Sequence, residues 1–174
     1  MSLSGDRLFY FSRSADKAPG KGINEFTNNP KDYSELSLIT DWRKVLSNFY
    51  LAPLKIDGYT WNTVEHYFQG AKIGLVDPVK QLHFTVESCH VIGLGDGNAA
   101  RSARKYVFLS PEQLNAWQEI MPSVLERALT AKFTQYPDLG QVLKLTGKAE
   151  LWHSAGRGAK PKRQTVLEAV RALI

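Results

Sequence analysis

The sequence predicts one domain that mixes helices with a few short strands, the helices in the majority. Three observations carry this. The 174 residues suit a single core of ordinary size. Hydrophobic residues make up 43% and charged residues 22%, which leaves enough apolar surface to offset chain entropy and excludes intrinsic disorder. Apolar residues recur at helical spacing over several stretches, with only short strand-like runs between them.

Taken in order, residues 7–13 (RLFYFSR) form an aromatic run that reads as a strand, and 14–22, with Pro19, read as a loop. Residues 33–45 are weakly helical. Residues 54–61 alternate apolar and polar positions around Asp57-Gly58, a dipeptide that accepts the positive φ angles of a tight turn, and predict a hairpin. Asn62 can then cap a helix whose Val64, Tyr67, Phe68, Ala71 and Leu75 share one face. Further helices are expected within 78–88, 98–106, 111–133, 138–145 and 165–174, with a strand at 150–154. No internal repeat is visible.

No apolar stretch approaches the length needed to span a bilayer, and the first six residues lack a signal-peptide layout. The expectation is an intracellular protein, cytoplasmic or nuclear, with no membrane contact. A lone cysteine, Cys89, cannot make an internal disulfide, and four scattered histidines show no metal-ligand spacing, so no metal or cofactor is expected. The net charge is +5, and residues 139–167 alone account for it. There Lys144, Lys148, Arg157, Lys160, Lys162 and Arg163 face the single acid Glu150. Such a segment attracts phosphate, or is simply a solvated surface.

Glu65, Gln69 and Lys72 stand at i, i+4 and i+7, placing a carboxylate, an amide and an amine along one stripe beside the apolar face. There, acid-base or amine chemistry can be tuned by partial burial. The same residues admit a plainer reading, with Asn62 to Glu65 as a capping box and Lys72 facing water. Of the four tryptophans, Trp42, Trp117 and Trp152 read as core, whereas Trp61 adjoins the helix N-terminus, where an anion or polar ligand could sit. Pro19-Gly20-Lys21-Gly22 offers open amides and a cation, as a phosphate cradle would, or is a surface loop. Gly156-Arg157-Gly158 with the following bases could hold a phosphate too, or form a basic loop. The glycine run at 93–97 lacks the third glycine of a dinucleotide fingerprint.

Leu46-Ser47-Asn48-Phe49-Tyr50, Trp61, and Val64-Glu65-His66-Tyr67-Phe68-Gln69-Gly70-Ala71-Lys72 resemble the opening blocks of the NADAR, or YbiA-like, family. Trp117, Ala128-Leu129-Thr130-Ala131-Lys132-Phe133, Leu145-Thr146-Gly147 and Glu150-Leu151 resemble its later blocks in the same order. The resemblance covers roughly residues 46–174, an ordered set far more specific than one short motif. It implies a compact α+β fold, mostly helical with a small β-sheet, forming a single domain over 1–174 with 1–45 as an extension packed on it.

The resemblance also implies an N-glycosidase. Family members either remove ADP-ribose from guanine bases or hydrolyse early riboflavin-pathway intermediates. It places the catalytic roles on Glu65 and Lys72. Substrate contacts are expected from Ser47, Asn48, Phe49, Trp61, His66, Gln69, Trp117 and Trp152, with Arg13, Lys21 and Arg157 as cations toward phosphate. Residues 151–158 depart from the bacterial pattern, where an aspartate, a tryptophan and a glycine-rich stretch are expected. Residues 9–25 look like an extension found in eukaryotic and large-virus relatives. The expected ligand is ADP-ribosylated guanine in DNA, RNA or a nucleotide, with no obligate protein partner. The alternatives are a ribosylamino-pyrimidine phosphate substrate and a non-catalytic ADP-ribose-binding module.

Overall fold

The computed structural model describes residues 5–10, 17–154 and 158–174. In chain order the elements are β1 (Arg7–Phe9), α1 (Ser34–Ser37), α2 (Trp42–Leu46), β2 (Leu54–Ile56), β3 (Tyr59–Trp61), α3 (Val64–Gly74), α4 (Pro78–Leu82), α5 (Gly97–Ser102), α6 (Pro111–Gln135), α7 (Pro137–Leu145), β4 (Glu150–His153), β5 (Lys162–Arg163) and α8 (Thr165–Leu173). The class is α+β with helices dominant. In place of the one small sheet expected there are two among the described residues, of three and of two strands. The chain divides into two compact units, one spanning Asn48–Tyr136 and the other Met1–Ser47 with Pro137–Ile174. Residues 1–45 thus share a unit with the C-terminal segment.

Within 48–136 the hairpin forms as the sequence requires. Asp57 and Gly58 take φ of 56° and 80°, which turns β2 back on β3 with Leu54 opposite Trp61 and Ile56 opposite Tyr59. Leu54, Ile56 and Trp61 are thereby buried, while Lys55 and Tyr59 face out. Helix α3 packs against α4, α5 and α6. Its cap is Thr63, whose hydroxyl oxygen accepts the His66 amide, and not Asn62 as expected. The Asn62 side chain instead donates to the carbonyls of Gly93 and Gly95, tying down the glycine run. Helix α6 opens on a capping box between Ser110 and Gln113 with Pro111 in its first turn. Its buried positions are Trp117, Ala128, Leu129, Lys132 and Phe133.

In the other unit β1 runs parallel to β4, with Arg7 opposite Glu150 and Phe9 opposite Trp152, and β5 adds antiparallel to β4. Helix α8 buries Leu167 and Val170, and α2 packs on α7. The expected helix over 33–45 is broken, because Asp41 adopts a left-handed φ of 59° before α2. Glu25 and Arg43 form an ion pair buried on both sides, with side-chain exposures of 0% and 1%. Every polar atom of that pair is engaged. The Glu25 carboxylate accepts from the amides of Phe9, Gly20 and Gly22, and the Arg43 guanidinium donates to the carbonyls of Phe9, Lys17 and Ala18 while lying 4.2 Å over the Trp42 ring. Such saturation is what makes a buried charge pair tolerable.

Candidate active site

The first turn of α3 builds the site. The Glu65 amide donates to the Asn48 carbonyl at 3.0 Å, so the segment before the hairpin satisfies one of the helix's open N-terminal donors. Phe49, next in that segment, lies against Gly97 at the start of α5. A Cβ there would come within 2.8 Å of the Phe49 Cα, so the close approach requires glycine. From the last turn of α5 the Arg101 guanidinium lies 5.9 Å from the Phe49 ring centre.

Glu65 is 7% exposed, and its Oε1 accepts from Gln69 Nε2 at 2.9 Å across one helical turn. Burial raises its proton affinity above the ordinary carboxyl range, against the Gln69 hydrogen bond and the positive field of Arg101, which both favour the ionised form. The capping-box role is not realised, since the carboxylate turns to Gln69 and not back to Asn62. A desolvated carboxyl with a cation nearby can stabilise a developing positive centre or exchange a proton with a leaving group.

His66 is fully buried, and both ring nitrogens are engaged. Nε2 sits 3.0 Å from the Ile92 carbonyl and therefore carries the proton, while Nδ1 accepts from the Thr63 hydroxyl at 2.9 Å. Burial lowers its pKa, keeping the ring neutral. This corrects the expectation of a substrate contact: His66 clips α3 to the 92–97 loop. Trp61 corrects another. At 2% exposure, with its indole N–H given to the Ile56 carbonyl and its ring edge-on to Tyr67, it is core and offers no open stacking face. Trp117 is likewise buried, against Phe68.

Lys72 lies half-buried in the last turn of α3, and its amine has no hydrogen-bond or ion-pair partner among the described residues. Seven residues of helix place it roughly 10 Å along the axis from Glu65 and within about 20° of the same face. Side chains on a helix lean toward its N-terminus, which tilts Lys72 back toward Glu65.

Lys132 has no part in the sequence reading of the site, yet it is the most perturbed base in this unit. It is fully buried, 5.2 Å from the Tyr50 ring centre and 5.0 Å from that of Phe133, and burial pushes its pKa down to about 7. The readable signal was its spacing: four residues after Ala128 and next to Phe133, it falls on the buried face of α6. Arg101 was also missed, because only the fold carries α5 to Glu65.

Three other expected residues, Lys21, Ser47 and Trp152, belong to the unit with the three-stranded sheet. The cradle of open amides around Lys21 is a correction, because the Gly20 and Gly22 amides are spent on the Glu25 carboxylate. Lys21 itself is exposed. Ser47 ends α2, its amide bonded to the Lys44 carbonyl. Trp152, expected in the core, is half-buried, with Arg7 4.7 Å from its ring centre and its indole N–H on Glu150. The basic segment is partly neutralised, since Arg163 pairs with Glu150 and Glu168. Arg13 and Arg157 lie outside the described residues. Among the described residues, no group of three or more His, Cys, Asp or Glu converges as a metal site requires, and no helix is long and apolar enough to cross a membrane. A groove of about 500 Å³ between the hairpin and α6 contains none of the candidate residues, and its Arg127 is already paired with Asp57.

Residues 26–158 match the NADAR domain family. N-glycosidase YbiA of Shigella flexneri serotype 5b is 32% identical over 126 residues, covering 67% of this chain and 72% of that protein. N-glycosidase YbiA of Escherichia coli K12 is 31% identical over the same length and coverage. The NMR structure of the E. coli protein YbiA is similar in fold, with a TM-score of 0.59 at 24% identity, over 98% of this chain and 86% of that one. These relatives are bacterial and lend no support to a eukaryotic or large-virus branch. With three quarters of its length matched by the family, and with relatives above 30% identity, the chain belongs to the NADAR domain family.

Proposed function

We propose that the protein is an N-glycosidase that hydrolyses the ribose C1–N bond of ADP-ribosylated guanine, in nucleic acid or in nucleotides, with Glu65 as the catalytic carboxylate. The observation that carries the reading is the buried Glu65 carboxyl, oriented by Gln69 and lying in the positive field of Arg101. The names of the YbiA relatives point to the same bond class. Cleavage leaves positive charge on C1 and the ring oxygen of the sugar. A carboxylate close to C1 stabilises that charge, water supplies the oxygen that replaces nitrogen, and the proton released passes to the departing base. Arg101 supplies a cation for phosphate beside that carboxylate, which favours a phosphate-bearing substrate.

A covalent route has its own support in Lys72, whose amine is unpartnered among the described residues and lies on the Glu65 stripe. In that route the amine nitrogen attacks C1, the base leaves with a proton, the ring opens to a Schiff base, and water later releases the sugar. The occupied cradle at Gly20 and Gly22 removes one argument for a diphosphate and favours the second substrate reading, a ribosylamino-pyrimidine carrying a single phosphate.

The deciding experiment incubates the protein with an ADP-ribosylated guanine oligonucleotide and, in parallel, with ribosylamino-pyrimidine phosphates, and separates the products by chromatography. Release of ADP-ribose with unmodified guanine is expected. Cleavage of the second substrate set alone would replace the substrate. No cleavage of either would leave a binding module.

A further inference from the structure

Gln69 is 7% exposed, and its side-chain Oε1 has no hydrogen-bond partner, one of two such buried atoms among the described residues. The orientation of the amide is set by chemistry. With Nε2 toward Glu65, a donor meets a carboxylate; turned over, two acceptors would face each other at 2.9 Å. The carbonyl oxygen is therefore the atom left over, and a buried acceptor without a donor is costly. The hydrogen bond to Glu65 accounts for the amide nitrogen but not for burying the oxygen without a donor.

The position of this oxygen defines the donor it suits. Oxygen and nitrogen of one amide are about 2 Å apart. With the 2.9 Å bond to Glu65, the orphan oxygen thus lies within about 5 Å of the carboxylate. A carboxylate acting on a sugar C1 sits about 3–3.5 Å from it. An acceptor within about 5 Å of that carboxylate is at a distance that suits the hydroxyl on the neighbouring carbon. Hydrogen bonds to a 2-hydroxyl strengthen as positive charge develops at C1, so an acceptor placed there serves catalysis as well as binding.

We propose that the Gln69 carbonyl accepts the 2-hydroxyl of the sugar whose C1–N bond is cleaved, so that the site selects ribosides over 2-deoxyribosides. The proposal rests on the N-glycosidase reading for the identity of the sugar. It adds a specificity-determining contact that sets which pentose enters. The same contact explains why Glu65 and Gln69 are buried together: the amide donates to the carboxylate with one end and takes the substrate's hydroxyl with the other.

The test uses the full chain and two probes, ribose 5-phosphate and 2-deoxyribose 5-phosphate, with dissociation constants measured by titration for the wild type and Gln69→Met. The wild type should bind ribose 5-phosphate at least about tenfold tighter. In Gln69→Met the two probes should bind alike, because the acceptor that tells them apart is gone. Equal affinities in the wild type, or no binding of either probe, overturn the proposal, as does a preference that survives in folded Gln69→Met. If that variant does not fold, the wild-type ratio decides alone. Release of ADP-ribose from the modified oligonucleotide is read separately. Sugar preference without release keeps the Gln69 contact and removes the reaction, and release without sugar preference does the reverse.

Discussion

Replacing Lys132 with methionine should make the protein's stability less dependent on alkaline pH. The lysine is fully buried, and its pKa falls from the ordinary 10.5 to about 7. The rings of Tyr50 and Phe133 favour the cation. Such contacts are worth about 2 kcal/mol when desolvated, less than the cost of taking an ammonium out of water. At pH values between the folded and unfolded pKa, the unfolded chain holds a proton on this amine that the folded chain does not. Stability therefore rises with pH through that window. The shift is worth about 5 kcal/mol in total. Titration of both states places about 3 kcal/mol of it between about pH 7 and about pH 9.5. Urea unfolding followed by circular dichroism at several pH values, for wild type and Lys132→Met, reads the difference directly. The wild type should gain about 3 kcal/mol on the variant across that range. Packing changes displace one curve from the other without altering its slope, so the slope isolates the charge. Parallel curves would mean that the amine keeps an ordinary pKa in the fold, and the reasoning from burial would be wrong.

Glu65→Gln should lower turnover by about 100-fold or more while leaving the melting temperature near wild type; near-normal turnover would remove the carboxylate from the mechanism. If the covalent route operates, borohydride added during turnover should fix the sugar fragment to Lys72, located by peptide mass mapping, and Lys72→Arg should be inactive. An adduct on Lys132 would move the role to the buried amine, and an active Lys72→Arg with no adduct would leave direct hydrolysis. Glu25→Ala strands the Arg43 charge in the core and should destabilise the chain by about 3–5 kcal/mol in chemical denaturation; a loss below 1 kcal/mol would show that the pair is solvated. Gly97→Ala should cost about 1–3 kcal/mol, because the added carbon meets the Phe49 backbone 2.8 Å away, and an unchanged melting curve would contradict that contact.

Local structure followed from local sequence. Asp57-Gly58 could close only a tight turn, and the helical spacing of apolar residues bounded α3, α6, α7 and α8 to within a few residues, because propensity, capping and turn chemistry act over neighbouring positions. The carboxylate, amide and amine of Glu65, Gln69 and Lys72 were legible for the same reason, as helix geometry alone puts them on one stripe. What the chain does to those groups was decided by tertiary contacts. Pairing of β1 with β4 joins residues from opposite ends of the sequence, and nothing local specifies a parallel partner. The cradle around Lys21 is filled by Glu25, whose carboxylate also pairs with Arg43 from a distant part of the chain. Trp61 and His66 are buried by the helices packed around α3, and the field of Arg101 acts on Glu65 only because α5 lies against that helix. Burial and charge proximity depend on which distant segments meet. For that reason the reactivity of Glu65, the neutralised tendency of Lys132 and the unsatisfied oxygen of Gln69 belong to the tertiary structure alone.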